Sequence, residues 1–465
     1  MSRVLPSTKL IGLIVSVVVA AATLMVTLPG DLPPAARQTL AVTLFAVIWW
    51  VFGVTHPAYT TFLLLLGYVL PGLAPTAVVF GLWTSPLAWL MIGAFLIAGA
   101  VTRSGLARRI ALFIMLRYAR SYVSIVILGY VLGAALSLLI PQPFPRTLLI
   151  MAIVTAILDR SNAVPADRTS IGFSVFAAAC ATSMFFLTGD AVLNVAAANA
   201  AGVELGWLAW AGYMAVPALI ASLLMLGLHF LVFRQAGPIV VDQEALRREQ
   251  QALGPMRRAE RVTLIWVGLA TLLWMTDSLH HINPAWVALG AAVGLALPYI
   301  GEVLGPEDLS TSINWPIVIF VVGALAIGTV ATETGLAAWL AAALLPASPP
   351  GDAYAFAALA AGVAMSIRMV LGSALASISI VAPPLVAYAQ TAGWNPIFPA
   401  LVIYTAVMIH FIFPFQHVII LLGVGETGRY GPRETFRYGL PLTLVTLFVI
   451  VVVEVTWWKL IGLVP

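Results

Sequence analysis

The chain has 465 residues, of which 62% are hydrophobic and 9% charged, with a formal net charge of +4. Its mean hydropathy is +1.05. No soluble domain hides that much apolar surface, so composition excludes a soluble protein and predicts an all-α polytopic membrane protein. The basic residues fall in short loops, where they act as topology signals and not as a nucleic-acid patch. The one cysteine, Cys180, excludes an intrachain disulfide, and no Cys/His set has zinc spacing.

The apolar run after Lys9 predicts a first helix over 9–28, long enough to span and followed by many more, hence not a cleaved signal peptide. A turn rich in proline and glycine follows, with Pro29, Gly30, Pro33 and Pro34. Helices are expected over 37–54 and 57–74, split at His56-Pro57, and over 85–102. The stretch Leu106–Arg120 is basic and amphipathic and suits the membrane surface. Residues 121–160 form an apolar block interrupted at 140–146, where three prolines cannot continue a helix, so the interruption is either a loop between two full spans or the tip of a re-entrant hairpin. The run 169–200 carries a mid-span break at Thr188-Gly189-Asp190, and a sixth helix spans 206–233. The segment 234–261, with six arginines, reads as a cytoplasmic linker between halves.

The second half mirrors the first. Helices are expected over 262–276, 285–300 and 314–332, then a short one to Leu345. A second interrupted block covers 352–391, broken near Gly372-Ser373 and again at Pro383-Pro384. A second mid-span break, 413–417, divides 397–425, and a last helix covers 438–463. The chain therefore divides into an N-terminal helix (1–35), a first repeat (36–233), the linker (234–261) and a second repeat (262–465).

One stretch occurs twice. Gly93, Ala94, Ile97, Thr102, Gly105, Leu106, Ala107 and Ala111 meet Gly323, Ala324, Ile327, Thr332, Gly335, Leu336, Ala337 and Ala341 at a constant offset. Glu333 in the second copy stands where the first has Arg103, so the shared fold requires neither charge. Reading both interrupted blocks as re-entrant hairpins gives about eleven spans and puts every basic loop on one side with the N-terminus. The positive-inside rule makes that side cytoplasmic and leaves the C-terminus outside. The two copies then run in opposite directions, as an inverted repeat.

Four breaks recur in matching order: 140–146, 188–190, 371–377 and 413–417. Breaks inside a bilayer survive only where protein or water satisfies the freed backbone groups. Their helix N-termini offer N–H groups to anions and their carbonyls suit cations. Asp190 reads as a coupling-ion ligand or proton carrier, or as a carboxylate capping the second half-helix. Thr188 and Asn194 are ligands or caps. Gln416 aligns with Asp190 and reads as ligand or pore lining. His410 and His417 could titrate or be satisfied structural groups. Arg146 could pair with a substrate carboxylate, snorkel, or hold its hairpin to Asp159. Arg368, four residues before the second hairpin break, carries the same alternatives. Ser373, Ser377 and Ser379 offer hydroxyls, or simply pack. Glu454 could pair with Lys459 or face the interface.

The sequence resembles the divalent anion:sodium symporter family, the bacterial dicarboxylate transporters of the ion transporter superfamily. The likeness runs from about residue 35 to the C-terminus. It is carried by Gly105-Leu106-Ala107-Arg108-Arg109-Ile110, Trp315-Pro316, Gly335-Leu336 and the tail Gly439-Leu440-Pro441-Leu442 with Trp458 and Gly462. The resemblance implies two hairpins entering from opposite faces, a homodimer, and a transport domain that moves like an elevator against a scaffold. It also implies anion symport with sodium, or exchange, in an inner membrane, and no resident cofactor. The hairpin tips depart from the family's Ser-Asn-Thr: here they read Gln142-Pro143-Phe144 and Ser373-Ala374-Leu375.

The expected site therefore draws substrate contacts from Gln142, Arg146, Thr188, Asn194, Ser373, Ser377, Gln416 and His417. A coupling ion, sodium or a proton, falls to Gln142, Gly189, Asp190, Ser373 and Gln416. The expected cargo is a small anion, di- or tricarboxylate-like or an inorganic or sulfonate anion, and the altered tips argue for one other than a simple C4-dicarboxylate or for a different pose. A membrane enzyme needs an acid/base or metal set on a sizeable loop, and no loop carries one. The remaining rival is a fold-derived partner or sensor that no longer transports. A pocket lined by Gln142, Asp190, Ser373 and Gln416 speaks for transport, and one plugged by Phe144 and Phe415 for the rival.

Overall fold

Proline opens helix after helix: Pro34, Pro57, Pro86, Pro143, Pro165, Pro284 and Pro432 all stand in a first turn. There the missing N–H costs nothing and the fixed φ already suits the helix. The computed structural model describes residues 6–25, 32–203, 205–241, 243–371 and 373–465. The Pro29-Gly30 turn and Gly372 of the second hairpin tip lie outside the described residues.

Counting helices of eight residues or more, the first half contains α1 (Pro6–Met25), α2 (Pro34–Phe52), α3 (Pro57–Val69), α4 (Pro86–Ser104), α5 (Leu106–Tyr118), α6 (Tyr122–Ser137), α7 (Pro143–Asp159), α8 (Pro165–Thr182), α9 (Leu193–Ala200) and α10 (Trp207–Val232). The linker holds α11 (Gln243–Ala252). The second half contains α12 (Arg258–Met275), α13 (Pro284–Ala296), α14 (Trp315–Glu333), α15 (Leu336–Leu344), α16 (Ala353–Val370), α17 (Ala374–Thr391), α18 (Ile397–Ile409) and α19 (Pro432–Phe448). After α19 the chain continues through a π-helical stretch, Val449–Glu454, and a last turn, Val455–Leu460.

Seven helices among the described residues are long and apolar enough to cross a membrane. Others expected to span are short, such as α3 and α13, or are divided: α8 from α9, and α18 from the short helix Val418–Leu422. The outer surface is apolar, with Leu10, Ile14, Leu223, Ile265 and Leu444 all exposed. That is the surface a bilayer covers.

One expected break is absent. Pro383 and Pro384 lie inside α17, which continues through them. Two prolines remove two backbone donors, but α17 is packed against α14 and α18, and that packing holds it helical. The other expected break is present: α17 begins after Ser373, whose hydroxyl accepts the Ala376 N–H as an N-cap.

The duplicated stretch folds alike in both copies. Gly105 ends α4 at φ 83°, ψ 4°, and Gly335 opens α15 at φ 78°, ψ 4°. Both are left-handed positions that a side chain strains. Each copy's first glycine lies flush against the other half. A Cβ on Gly93 would lie 2.7 Å from Ala288 Cβ in α13, and one on Gly323 would overlap Thr61 Cγ2 in α3.

The basic loops gather at one end. Arg103 pairs with Glu307 (3.0 Å) and Asp308 (2.7 Å). Arg429 and Arg168 share Asp159. Arg109 grips Glu260 with Nε and Nη2 at 2.8 and 3.0 Å, and its guanidinium also donates to the Leu253, Gly254 and Pro255 carbonyls. The hydrogen bond to Glu260 raises the Arg109 pKa above its ordinary value, so this clasp keeps its charge.

Candidate anion-binding site

All four breaks meet at one cavity of about 540 Å³. The first hairpin, α6–α7, turns at residues 138–142, and in the second α16 ends at Val370 and α17 begins at Ala374. Between α8 and α9 the chain makes a 3-10 turn, Leu187–Asp190, and after α18 another, Pro414–Gln416. Helices α2 and α14 close the side with apolar groups, among them Trp50 and Phe320.

Four of the expected residues line this cavity: Gln142, Asp190, Ser373 and His417. Gln142 precedes α7 and its side-chain Nε2 is buried without a hydrogen-bond partner. His417 accepts the Ile419 N–H on Nδ1 (3.3 Å), which leaves the proton on Nε2. That nitrogen has no hydrogen-bond partner among the described residues, and the Met408 carbonyl lies near the ring. Asp190 uses Oδ1 to accept from Val192 and Leu193 at 3.0 and 3.1 Å, so it caps its break as well as lining the wall. Phe144 and Phe415 stand in the wall without closing the cavity.

The other expected residues are not in the wall, and most of their polar atoms are engaged within the protein, with Arg146 Nε, His410 Nδ1 and Glu454 Oε2 the buried exceptions. Arg146 is fully buried, with Nη1 on the Ile140 and Gly189 carbonyls (3.0 Å each) and Nη2 on Ser183 Oγ (2.6 Å). It does not reach Asp159, whose oxygen is taken by Arg168 and Arg429 at the far end of α7. Asn194 Nδ2 holds the Ser183 and Phe186 carbonyls, and Tyr404 donates to its Oδ1 (2.6 Å). Thr188 accepts from Trp207 Nε1 (3.0 Å). Gln416 Oε1 takes the Ile412 and Phe413 N–H groups, and its Nε2 rests on Met369 Sδ. Ser377 bonds back to the Ser373 carbonyl, and Ser379 to that of Leu375. His410 meets Thr443 Oγ1 (3.2 Å). Glu454 neither pairs with Lys459 nor reaches the surface. It is buried on Thr405 (2.5 Å), while Lys459 lies over the Tyr354 ring.

The wall residue that the sequence reading left out of the expected site is Arg368. It lies in the last turn of α16, in the cavity wall, and is fully buried. All three guanidinium nitrogens lack a partner. Arg146 has Asp190 within Coulombic reach, whereas no carboxylate pairs with Arg368 among the described residues. A buried, unpaired cation is costly unless something anionic meets it. The hint in the sequence was position alone, a charge one turn before a helix break.

The model of the sodium:sulfate symporter transmembrane region matches residues 7–464. The chain belongs to that family. Its proteins are transporters and not enzymes, which fits a membrane protein whose polar groups converge on a cavity. A membrane protein of Cupriavidus necator is 26% identical, over 99% of this chain and 95% of its own. The putative malate transporter YflS of Bacillus subtilis is 22% identical over 98% and 97%. The sodium-dependent dicarboxylate transporter SdcS of Staphylococcus saprophyticus is 23% identical over 71% and 69%. The crystal structure of the YdaH transporter of Alcanivorax borkumensis superposes over 99% of this chain and 98% of its own, with TM-score 0.50 at 16% identity. That last likeness shows the family's fold.

Proposed function

We propose that this member of the family is a secondary transporter that carries a small organic anion across a bacterial inner membrane, with Arg368 holding the anionic group. The observation that carries the reading is Arg368 itself: a fully buried guanidinium, in a cavity wall, with no partner among the described residues. Gln142 Nε2 and His417 Nε2 add two more unused donors around the same cavity. Donors without acceptors are what a site for an oxyanion needs before its ligand arrives. Among the described residues the wall holds one cation without a partner, and Asp190 shares the wall, so a single anionic group on an otherwise apolar body fits better than a C4-dicarboxylate.

Transport follows from where the site is built. Both hairpins and both broken helices contribute, and such sites between repeats are reached alternately from each side. The contacts of Gly93 with α13 and of Gly323 with α3 support an inverted pair of repeats with the linker 234–261 between them. The gathering of basic loops supports a cytoplasmic N-terminus and an outward C-terminus. The names of relatives suggest a cation-driven carrier, and the family resemblance suggests elevator motion in a homodimer. Uptake of labelled monocarboxylates and dicarboxylates into proteoliposomes tests the reading. Accumulation that wild type shows and Arg368→Gln lacks supports it; accumulation unchanged in Arg368→Gln contradicts it.

A further inference from the structure

We infer that Arg146 is a tethered cation that occupies, in the first half of the protein, the place a coupling metal ion would take. Three oxygens converge there from separate elements. The Ile140 carbonyl comes from the first hairpin tip, the Gly189 carbonyl from the first mid-span turn, and Ser183 Oγ from the end of α8. Each lies 2.6–3.0 Å from a guanidinium nitrogen. Ser183 spends its own proton on the Ala179 carbonyl (2.7 Å), so it faces Arg146 as an acceptor. Two main-chain carbonyls and a hydroxyl from broken helices are an oxygen set suited to a small hard cation.

The surroundings fit a permanent charge. The guanidinium is fully buried, and Asp190 lies within Coulombic reach to balance it. The neighbouring carbonyls are closed off as well: Asn194 holds those of Ser183 and Phe186, and Trp210 Nε1 donates to that of Met184 (3.0 Å). The backbone leaves no slack, because a Cβ on Gly189 would lie 2.5 Å from the Ser183 oxygen. The first break is thus satisfied by protein donors alone. Its hairpin tip is held in place with no metal ion bound, and any sodium coupling falls to the second half.

The consequence for transport rests on the anion-carrier reading, but the test does not. The thermal stability of the purified full chain is compared in sodium chloride and choline chloride at equal ionic strength, with no organic anion present. Wild type, Arg146→Ser and Arg146→Met are measured. Removing the guanidinium uncovers the oxygens, and sodium then fills them and stabilises by mass action, with a sodium-specific rise of about 3 °C beyond that of wild type. Equal sodium effects in wild type and both variants overturn the inference. If the variants do not survive purification in choline, recovery of folded protein in sodium supports the inference, and recovery in neither salt overturns it. Failure here leaves the Arg368 site standing, since no anion enters the measurement.

Discussion

Arg146 and Arg368 are the two fully buried arginines of the hairpins, and they are treated oppositely. Arg146 donates to three oxygens, whereas Arg368, in the cavity wall, donates to none. One charge is used by the fold, and the other has no protein partner among the described residues. That contrast divides structural from binding roles at a site where every polar residue lies near a break.

Replacing Arg368 by methionine removes a buried charge that nothing compensates. The ligand-free protein becomes more stable, by about 2 kcal/mol, while stabilisation by any anion is lost. Thermal unfolding with and without anion checks both signs. A variant that is less stable without ligand contradicts the account of Arg368 as unpaired.

Gln416 ties its own break together by accepting two backbone N–H groups. Gln416→Leu leaves both unpaired in an apolar setting and lowers stability by about 2 kcal/mol. Anion affinity measured on the folded fraction stays within a factor of about three. A large affinity loss with unchanged stability would make Gln416 a ligand.

Gly93 and Gly323 predict a compensation. Gly323→Ala drives its methyl into Thr61, and an overpacked helix contact costs about 1–3 kcal/mol. Thr61→Gly in the same chain restores the yield of folded protein. Lack of rescue would place the strain elsewhere.

The clasp of Arg109 on Glu260 and on three linker carbonyls holds the linker down. Arg109→Met frees it, and limited trypsin digestion then cuts between α11 and α12 several times faster. Unchanged cleavage means the clasp does not restrain the linker.

Side preference is directly readable, because Cys180 is buried and the wild type offers no reactive background. Gln251→Cys in the linker reacts with a membrane-impermeant thiol reagent only after permeabilisation, and Val203→Cys reacts in intact spheroplasts. The reverse pattern overturns the cytoplasmic placement of the linker.

The fold was legible because its signals are strong and local. Apolar runs mark helices, clustered prolines at 141–145 stop one, and Gly105 and Gly335 mark matched left-handed ends. Pro383-Pro384 misled because packing by α14 and α18 overrides a local breaker. The site was legible only in part. A polar residue beside a break serves either a ligand or the backbone groups the break frees, and both uses call for the same residue types. Gln142 and Arg146 are four positions apart on one hairpin, yet Gln142 lines the cavity and Arg146 faces the carbonyls. Only the three-dimensional partners separate Asn194 and Gln416, which hold their own breaks, from Arg368, which holds nothing.

The most direct measurement is calorimetric titration of the purified protein with a panel of organic anions, run on wild type and on Arg368→Gln. At least one anion is expected to bind wild type, a monoanion with an apolar body more tightly than succinate, and Arg368→Gln is expected to weaken binding at least about a hundredfold, as when a desolvated charge pair is broken. Anion binding that survives in Arg368→Gln at wild-type affinity would contradict the binding role of Arg368.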